Sequence, residues 1–576
     1  MANRAAATRK RKQAKAIKSS GSPIKNADPK SSSGRYFLIL VLVGLAVAGV
    51  MIRVQFLERS LWLDEAWVAN SIRAASLRDA IYYDAWLQTT PPLFVALNRV
   101  ITAFFGTSNI AFRLLPAFFG IASIPLFSFL ALRLLKPSFA IAAIVLFIFD
   151  PQLILYSQSL KQYSADVFST VALLVLGYRY LEKRTELWFY SLLAGVVACS
   201  FLSYPAMLFW PFVVYITFLK DGLQERTASM EATLRTLPQS VMVMTLGIFV
   251  LLINYLLFVM PNKNAALAEF FGEGFYEGRS FLEFMGFYGA QFLSLADSFF
   301  FARAGVFRIG AILALLGGLV HLWVSQLRIS RLERLATPLL LTAPTAGVLA
   351  LNVVGLFPLP GFHHRLLLFA FPITVLIFCL GLQLFTDTAA RFLASWMKPF
   401  NPTLLEAILG SLAAVGLATP VFVFFGTVGA EPIFAKDHEE IEQTLHFMSQ
   451  RVRSSDVLYV HATVREPFKL YGPMLLPAIS RVVHGRIGAP CCPRHDYRNP
   501  RRESADEVSR EILSLSEVAA GRSLWLLSTD RELHWLHVRR NDVEIFERAL
   551  PGHGCRKSDE AKFAGIYLGR FDCDAR

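Results

Sequence analysis

The stretch YFLILVLVGLAVAGVMI, from Tyr36 to Ile52, holds seventeen consecutive residues without a charge. With the apolar residues that follow, it is long enough to cross a bilayer as a helix. Residues 1–35 contain ten Lys and Arg but one acid, Asp28, and no clear cleavage site follows the apolar stretch. Because basic residues stay on the cytoplasmic side, we interpret 36–56 as a signal anchor and not as a cleaved signal peptide. The same rule explains the basic tail better than a nucleic-acid-binding arm does.

The composition of the whole chain requires that most of it lie in lipid. Hydrophobic residues make up 54% of the 576 residues and charged residues 17%, where ordinary globular proteins have about 25% charged residues. This excludes a series of soluble domains and predicts a polytopic α-helical membrane protein. Eleven spans are predicted, near residues 36–56, 113–135, 138–155, 164–181, 187–204, 205–219, 239–260, 305–325, 336–355, 366–385 and 404–426.

The segment from Pro91 to Gly106 is apolar but short, and Asn98 and Arg99 interrupt it. If it crossed the membrane, the basic loops between the next spans would fall outside. If it lies on the outer surface, every basic loop falls inside, which agrees better with the positive-inside rule. We therefore predict an interfacial helix at 91–106, a cytoplasmic N-terminus and a C-terminus outside the membrane.

A change in composition after the last span predicts a soluble domain. Residues 430–576 are charged and turn-rich, with a helical pattern near 437–453 and strand patterns at 457–461 and 523–528. We predict an α/β fold for this part, which is long enough to bury its own core. The chain thus divides into a basic cytoplasmic tail (1–35), a transmembrane domain (36–429) whose outer loop is 58–112, and a periplasmic domain (430–576).

Four of the six cysteines lie in the C-terminal domain: Cys491, Cys492, Cys555 and Cys573. An oxidising compartment outside the membrane favours one or two disulfides among them. The alternative is a metal site formed by these thiols with nearby histidines, but the spacing matches no metal-binding motif. We therefore favour disulfides.

Two adjacent acids follow the first span in the segment LWLDEAW, which runs from Leu61 to Trp67. Successive side chains of a helix point in different directions, so Asp64 and Glu65 cannot share one face. We expect one of them to point into a cavity and the other to brace the loop. The alternative is an amphipathic helix with a solvated acidic face and two Trp anchors at the membrane surface.

Two cations lie near the outer ends of later spans. Lys161 belongs to the hydrophilic run YSQSLKQYS at 156–164, and Arg365 ends the segment PGFHHR before the tenth span. Taken singly, Lys161 fits a solvated hairpin, and Arg365 fits a side chain that extends from the end of a span to the membrane surface. On the predicted topology, both share the outer face with Asp64. One carboxylate with two cations suits transfer of a sugar from a lipid-linked phosphate, since the cations hold the leaving phosphate and the carboxylate takes the acceptor's proton.

These motifs, in this order, resemble those of the GT-C membrane glycosyltransferases, the superfamily of dolichyl-phosphate-mannose protein mannosyltransferases and bacterial lipid A aminoarabinose transferases. The matching segments are LDEAW at 63–67, PPLFVALNRVITAFFGTSNIAFRLLPAFFG at 91–120, YSQSLKQYS at 156–164 and FHHRLLLF at 362–369. The sequence departs from the family pattern at Thr90, where His is common. It also departs at Ser159 and Lys161, where the family usually has Glu and Arg.

The resemblance implies a GT-C fold with a polyprenyl-phosphate sugar donor and inverting transfer at the periplasmic face of a bacterial inner membrane. Asp64 is the predicted base, with Glu65 as a supporting or metal-proximal acid, and a divalent metal is the one cofactor considered. The acceptor would be an envelope glycolipid, polysaccharide or protein hydroxyl, and no nucleic-acid partner is expected. The predicted donor-phosphate ligands are Lys161, Arg365 and Arg113, and the predicted sugar or acceptor pocket comprises Tyr156, Gln158, Tyr163, His363 and His364.

Two other classes of function stay open on the sequence alone. A flippase or transporter of lipid-linked sugar would bind the same phosphate, but its ionisable residues should lie near the bilayer midplane. A membrane-anchored protein that binds envelope glycans would act through residues 430–576 and would not need Asp64. The gathering of charged residues on one membrane face favours the transferase.

Overall fold

A computed structural model describes residues 32–83, 89–220, 237–262, 272–278, 280–294, 305–324, 335–359, 361, 365–396, 401–427, 429, 433, 439–485, 505–529, 533–535, 538–540 and 542–575. Within these ranges the chain is helical up to residue 427, and its strands begin at Val457. The predicted fold class, a helical polytopic membrane protein followed by an α/β domain, is confirmed.

Sixteen α-helices precede the C-terminal domain in the described chain. They are α1 (Ser32–Val54), α2 (Leu63–Ile72), α3 (Leu77–Ile81), α4 (Pro92–Phe105), α5 (Asn109–Leu134), α6 (Pro137–Ile148), α7 (Pro151–Ser157), α8 (Tyr163–Lys183), α9 (Glu186–Leu202), α10 (Trp210–Phe218), α11 (Leu237–Ile253), α12 (Phe281–Ser294), α13 (Gly305–Val324), α14 (Ala336–Val353), α15 (Phe371–Trp396) and α16 (Pro402–Thr427). Short 3₁₀ segments, Tyr204–Phe209 and Arg365–Ala370, lead into α10 and α15.

Seven helical stretches of the described residues are long and apolar enough to cross a membrane: 36–54, 109–134, 237–262, 307–324, 336–353, 365–396 and 402–427. The pair α6 and α7, bent by 49°, would make an eighth. All eleven predicted spans coincide with helical chain, yet three fall outside this set. α9 and the 204–218 helix are short, and α8 carries charged residues that include Asp166. Among the described residues, eight of the eleven predicted spans thus meet the criteria of length and hydropathy when α6 and α7 are taken as one span, and the other three stay predictions.

The ambiguous segment 91–106 forms a helix of its own, α4, which begins at a Pro pair and ends at Gly106. Pro is well placed in the first turn of a helix, because the N–H that it lacks would have no helical partner there. Phe94 and Val95 are buried against α5, whereas Phe104 and Phe105 at the far end are exposed. An exposed apolar end suits a place at the membrane surface, which stays a prediction.

Helices α13 and α15 approach each other at backbone contact. A Cβ added at Gly318 would lie 1.9 Å from the Ile377 carbonyl oxygen, and one at Gly381 would lie 1.7 Å from the Ala314 carbonyl oxygen. Small residues allow this approach inside a membrane, where close van der Waals packing holds helices together. The contact fixes α15 and so supports the segment just before it, which begins at Arg365.

The C-terminal domain is built on a five-stranded sheet with the order β2-β1-β3-β7-β6. β1 runs parallel to β2 and β3, and β7 runs antiparallel to β3 and β6. Its elements in the described chain are α17 (Ile441–Ser449), β1 (Val457–Val460), α18 (Arg465–Leu475), β2 (Arg481–His484), α19 (Ala505–Val518), β3 (Ser523–Thr529), β4 (Leu533–Trp535), β5 (Val538–Arg540), α20 (Asp542–Ala549), β6 (Cys555–Phe563) and β7 (Ile566–Cys573).

The two faces of this sheet carry different helices. Successive strand residues point to opposite faces, so Leu458 and Val460 of β1 pack with α17 and α18, whereas Tyr459 packs with α19 and α20. The α17–α18 face continues into the transmembrane part, since Val68 and Ile72 of α2 belong to the same buried cluster. The C-terminal domain therefore packs directly against α2.

A disulfide joins Cys555 and Cys573, which are paired opposite each other on β6 and β7 with their Cα atoms 3.9 Å apart. The prediction of a disulfide in this domain is confirmed. Cys491 and Cys492 lie outside the described residues. Among the residues that the structure describes, no group of three or more His, Cys, Asp and Glu could hold a metal ion.

Candidate active site

Three charged residues that were predicted to act together meet near the ends of three helices, α2, α8 and α15. One carboxylate oxygen of Asp64, Oδ2, lies 3.1 Å from Nη1 of Arg365 and 3.5 Å from Nζ of Lys161. The Lys161 side chain is fully buried, and those of Asp64 and Arg365 are 15% and 22% exposed. The cluster therefore opens to its surroundings mainly on the side of Asp64 and Arg365.

Each member of this cluster is held by a different part of the fold. Asp64 lies in the first turn of α2, at the end of the connection from α1. Lys161 lies in the tight turn between α7 and α8, where its N–H donates to the Ser159 carbonyl oxygen at 2.6 Å. Arg365 begins the 3₁₀ segment that leads into α15. Three parts of the chain thus bring one carboxylate and two cations together.

The electrostatics of the cluster follow from burial and from the opposite charges. Burial by itself raises the pKa of Asp64, but Lys161 and Arg365 more than offset this, so the pKa lies below the ordinary value for Asp. Burial lowers the pKa of Lys161 to about 8, with Asp64 opposing the shift and Arg365 adding to it. Asp64 is therefore ionised at neutral pH, and Lys161 is the member whose charge is most sensitive to pH.

Glu65, the neighbour of Asp64, points away from the cluster into a fully buried ion pair with Arg113. Nε and Nη2 of Arg113 donate to the two carboxylate oxygens at 2.9 Å and 2.6 Å, and neither side chain is exposed. Glu65 also accepts a hydrogen bond from the Leu160 N–H at 2.6 Å, next to Lys161. Burial raises the pKa of Glu65, but Arg113 overcomes this and leaves the pKa below the ordinary value.

Arg113 uses the rest of its guanidinium to hold the chain between α1 and α2. It donates to the carbonyl oxygens of Leu57 at 2.9 Å and Ser60 at 3.1 Å, and also to that of Arg59. The structure does not bring Arg113 to the Asp64 cluster, where it was predicted to bind phosphate. Arg113 and Glu65 together fix the chain that leads to Asp64. This agrees with the expectation that one of the two adjacent acids braces the loop.

Of the predicted pocket residues, two aromatic side chains reach the cluster. The rings of Tyr156 and Tyr163 meet edge to face with centroids 4.8 Å apart, and the guanidinium of Arg365 lies 6.0 Å from the Tyr163 ring centroid. Gln158 points elsewhere, because its side-chain amide donates to the Ile52 carbonyl oxygen at the end of α1. His363 and His364 lie outside the described residues.

Sequence reasoning missed the buried carboxylate of Asp166, in the first turn of α8. It is 6% exposed and lies beside Ser203 and Tyr204, on the same helical turn as Tyr163. An ionisable residue inside an otherwise apolar helix is the feature that could have drawn attention to it. Sequence reasoning also missed the contacts of α2 with the C-terminal domain, for which no local pattern exists.

Comparisons with known proteins find similarity in structure alone. No family model and no curated protein matches the sequence. The crystal structure of ArnT from Cupriavidus metallidurans in the apo state matches at 12% identity with a TM-score of 0.46, over 94% of this chain and 98% of that one. The same protein bound to undecaprenyl phosphate gives a TM-score of 0.45 at the same identity and coverage.

A third match is the crystal structure of the Archaeoglobus fulgidus oligosaccharyltransferase in complex with Zn and sulfate. It has 12% identity and a TM-score of 0.47, over 93% of this chain and 73% of that one. At these identities and TM-scores, the similarity assigns neither a substrate nor a site residue to this chain.

Proposed function

We propose that the protein is a membrane glycosyltransferase that moves a sugar from a polyprenyl-phosphate donor to an envelope acceptor at the periplasmic face of a bacterial inner membrane. The observation that carries the proposal is the meeting of Asp64 with Lys161 and Arg365 at the ends of apolar helices. The acceptor class is a hydroxyl of a glycolipid, a polysaccharide or a protein.

The charges of the cluster favour an anionic ligand. Two cations face one carboxylate, so the site carries an excess of positive charge in a largely buried place. An uncompensated buried charge is costly, and a phosphate bound between the cations would remove that cost. Arg365 can hold two phosphate oxygens with its planar fork, and Lys161 acts as a point charge. A polyprenyl chain attached to that phosphate would lie in the bilayer beside the spans.

The same three groups can carry out the transfer. The acceptor hydroxyl oxygen attacks the anomeric carbon of the sugar, and the bond from that carbon to the phosphate oxygen breaks. The polyprenyl phosphate leaves with the bonding electrons, and Lys161 and Arg365 hold its negative charge. Asp64 takes the proton of the acceptor hydroxyl as general base. A single displacement of this kind inverts the anomeric configuration.

Binding of the donor would also improve Asp64 as a base. In the ligand-free protein the two cations keep the pKa of Asp64 low, which makes its carboxylate a weak proton acceptor. A phosphate between Lys161 and Arg365 offsets their positive charge, so the two cations lower the pKa of Asp64 by less. The pKa of Asp64 therefore rises, because burial by itself raises it. The carboxylate thus gains basicity when the donor is in place.

The remaining features fit this assignment. Tyr156 and Tyr163, whose rings lie beside each other and near Arg365, would pack against the sugar. The disulfide between Cys555 and Cys573 supports a periplasmic position of the C-terminal domain, because disulfides persist in oxidising compartments. In this proposal, Asp64, Lys161 and Arg365 carry the transfer.

The function is tested by transfer from radiolabelled polyprenyl-phosphate sugars in membranes that contain the protein, with total envelope as acceptor. We expect label to reach an acceptor with the wild type. Lys161→Ala should lower kcat/KM for the donor by about 10- to 100-fold, because one charged hydrogen bond to the phosphate is lost. Lys183→Ala, at the exposed far end of α8, is the matched control and should leave transfer unchanged. Absence of label from every donor, with the protein correctly inserted, would contradict the proposal and favour a flippase or a glycan-binding protein.

The pH dependence of transfer should report Lys161. Its ammonium is charged below a pKa of about 8 in the free protein and loses its charge above it. We expect kcat/KM for the donor to fall as the pH rises through about 8, because this ratio follows the ionisation of the free enzyme. Lys161→Arg keeps a charged side chain throughout the range, so its profile should lack this alkaline fall. An unchanged alkaline fall in Lys161→Arg would assign the titration to another group.

A further inference from the structure

Helix α2, which carries Asp64, lacks the N-terminal cap that a helix of this length normally has. The first N–H groups of a helix have no helical partner and are usually satisfied by Ser, Thr, Asp or Asn at the N-cap position. Here the N-cap residue is Trp62, whose side chain makes no capping hydrogen bond. The acceptor comes instead from the C-terminal domain, where Oε2 of Glu439 accepts from the Leu63 N–H at 3.1 Å.

From this contact, we propose that Glu439 is a positioning residue for Asp64, so that the C-terminal domain is part of the catalytic unit. Glu439 is buried, and the N–H that it binds belongs to the residue directly before Asp64. A carboxylate at the positive end of a helix also interacts favourably with the helix dipole. The inference rests on the proposed function, because it assigns to Glu439 the placing of the base.

Further contacts of the same domain hold both ends of α2. On the N-terminal side, the Tyr471 hydroxyl accepts from the Leu61 N–H at 2.9 Å and donates to Oδ1 of Asn109 at 2.6 Å. Toward the C-terminal end, Oε2 of Glu466 accepts from the Asn70 side-chain amide at 2.9 Å. The chain immediately before Asp64 and the second half of α2 are thus each fixed to the C-terminal domain.

These polar contacts surround an apolar one. Val68, Ala69 and Ile72 of α2 are buried in one cluster with residues of α17 and α18 such as Leu445 and Phe468. Burial of this face sets the rotation of α2, and the capping contact sets its axial position. Together they direct the Asp64 carboxylate to Lys161 and Arg365, although no residue of the C-terminal domain is needed to touch the donor.

The test separates positioning from binding and from folding. Glu439→Ala removes the acceptor for the Leu63 N–H, and Glu439→Gln keeps an acceptor oxygen of the same reach. We expect Glu439→Ala to lower kcat by about 100-fold, since a displacement of about 1 Å at a reacting group has this effect. KM for the donor and the Kd for polyprenyl phosphate should stay unchanged. Glu439→Gln should restore most of kcat.

The matched control is Glu440→Ala, because the adjacent Glu440 accepts from the Ala564 N–H within the C-terminal domain. It should retain the kcat of the wild type. Tyr471→Phe serves as a second variant, in case Glu439→Ala does not fold, and should lower kcat with an unchanged Kd for polyprenyl phosphate. Wild-type kcat in Glu439→Ala and Tyr471→Phe would overturn the inference, as would equal losses in Glu439→Ala and Glu440→Ala. Inactivity of the wild type with every donor would instead refute the proposed function.

Discussion

Asp64→Asn should reduce sugar transfer by about 10²- to 10⁴-fold while the protein remains folded and inserted. The amide has the size of the carboxylate and can still accept a hydrogen bond from Arg365 or Lys161, so the packing of α2 should be preserved. It cannot take a proton from the acceptor hydroxyl, which is the loss that matters. The measurement is the rate of transfer at saturating donor, next to the detergent-solubilised yield and the size-exclusion profile of each variant.

A matched control for this substitution lies in the same outer loop. Asp79 is exposed on α3, and its carboxylate contacts the Ser76 hydroxyl. Asp79→Asn makes the same chemical change away from the cluster and should transfer sugar at the rate of the wild type. If Asp64→Asn kept full activity, Asp64 would not be the base, and the buried carboxylate of Asp166 would become the next residue to test.

Breaking the ion pair between Glu65 and Arg113 should lower the stability of the folded protein. Arg113→Ala leaves Glu65 charged in a fully buried site, and Glu65→Ala does the same to Arg113. Removing one partner of such a pair costs about 3–5 kcal/mol. We expect both variants to lose the folded state at temperatures that the wild type withstands, as measured by the fraction that elutes as a single species after heating in detergent.

The double variant Glu65→Ala/Arg113→Ala tests the physical reason for that loss. Because no unpaired charge remains, its destabilisation should be smaller than the sum of the two single effects. Arg133→Ala is the control, since Arg133 pairs with Glu182 at a half-exposed site and such pairs contribute about 0–1 kcal/mol. Additive losses in the double variant would show that Glu65 and Arg113 stabilise the protein through separate contacts.

The parts of the site that could be predicted are those whose signal is local. Charged residues at the ends of long apolar segments are visible in a sequence, and the loop charges predict that Asp64, Lys161 and Arg365 share one side of the membrane. No local signal in the sequence indicates which of Asp64 and Glu65 faces the two cations. That depends on the rotation of α2, which is set by the burial of Val68 and other residues against α17 and α18.

Contacts between remote residues explain the remaining differences. Arg113 is drawn to the loop by Glu65, and Gln158 by a carbonyl oxygen at the end of α1, so both leave the places that their motifs suggested. Three predicted spans fail the test of length and hydropathy because α8 carries charged residues and because α9 and the 204–218 helix are short. No pattern near Glu439 indicates that it caps a helix whose first residue is 376 positions earlier.

That separation has a consequence for the order of events during synthesis. Helix α2 is among the first segments to leave the ribosome. Its capping residue, Glu439, and the partner of Asn70, Glu466, follow much later. At about 5–20 residues per second, the 376 positions from Leu63 to Glu439 take roughly 19–75 s to translate. Until then, α2 lacks the capping carboxylate of Glu439 and the part of its apolar cover that α17 and α18 supply. If the proposed function holds, we expect a chain truncated before residue 439 to insert its spans but to lack the contact that positions Asp64, so that activity appears only after the C-terminal domain has been translated.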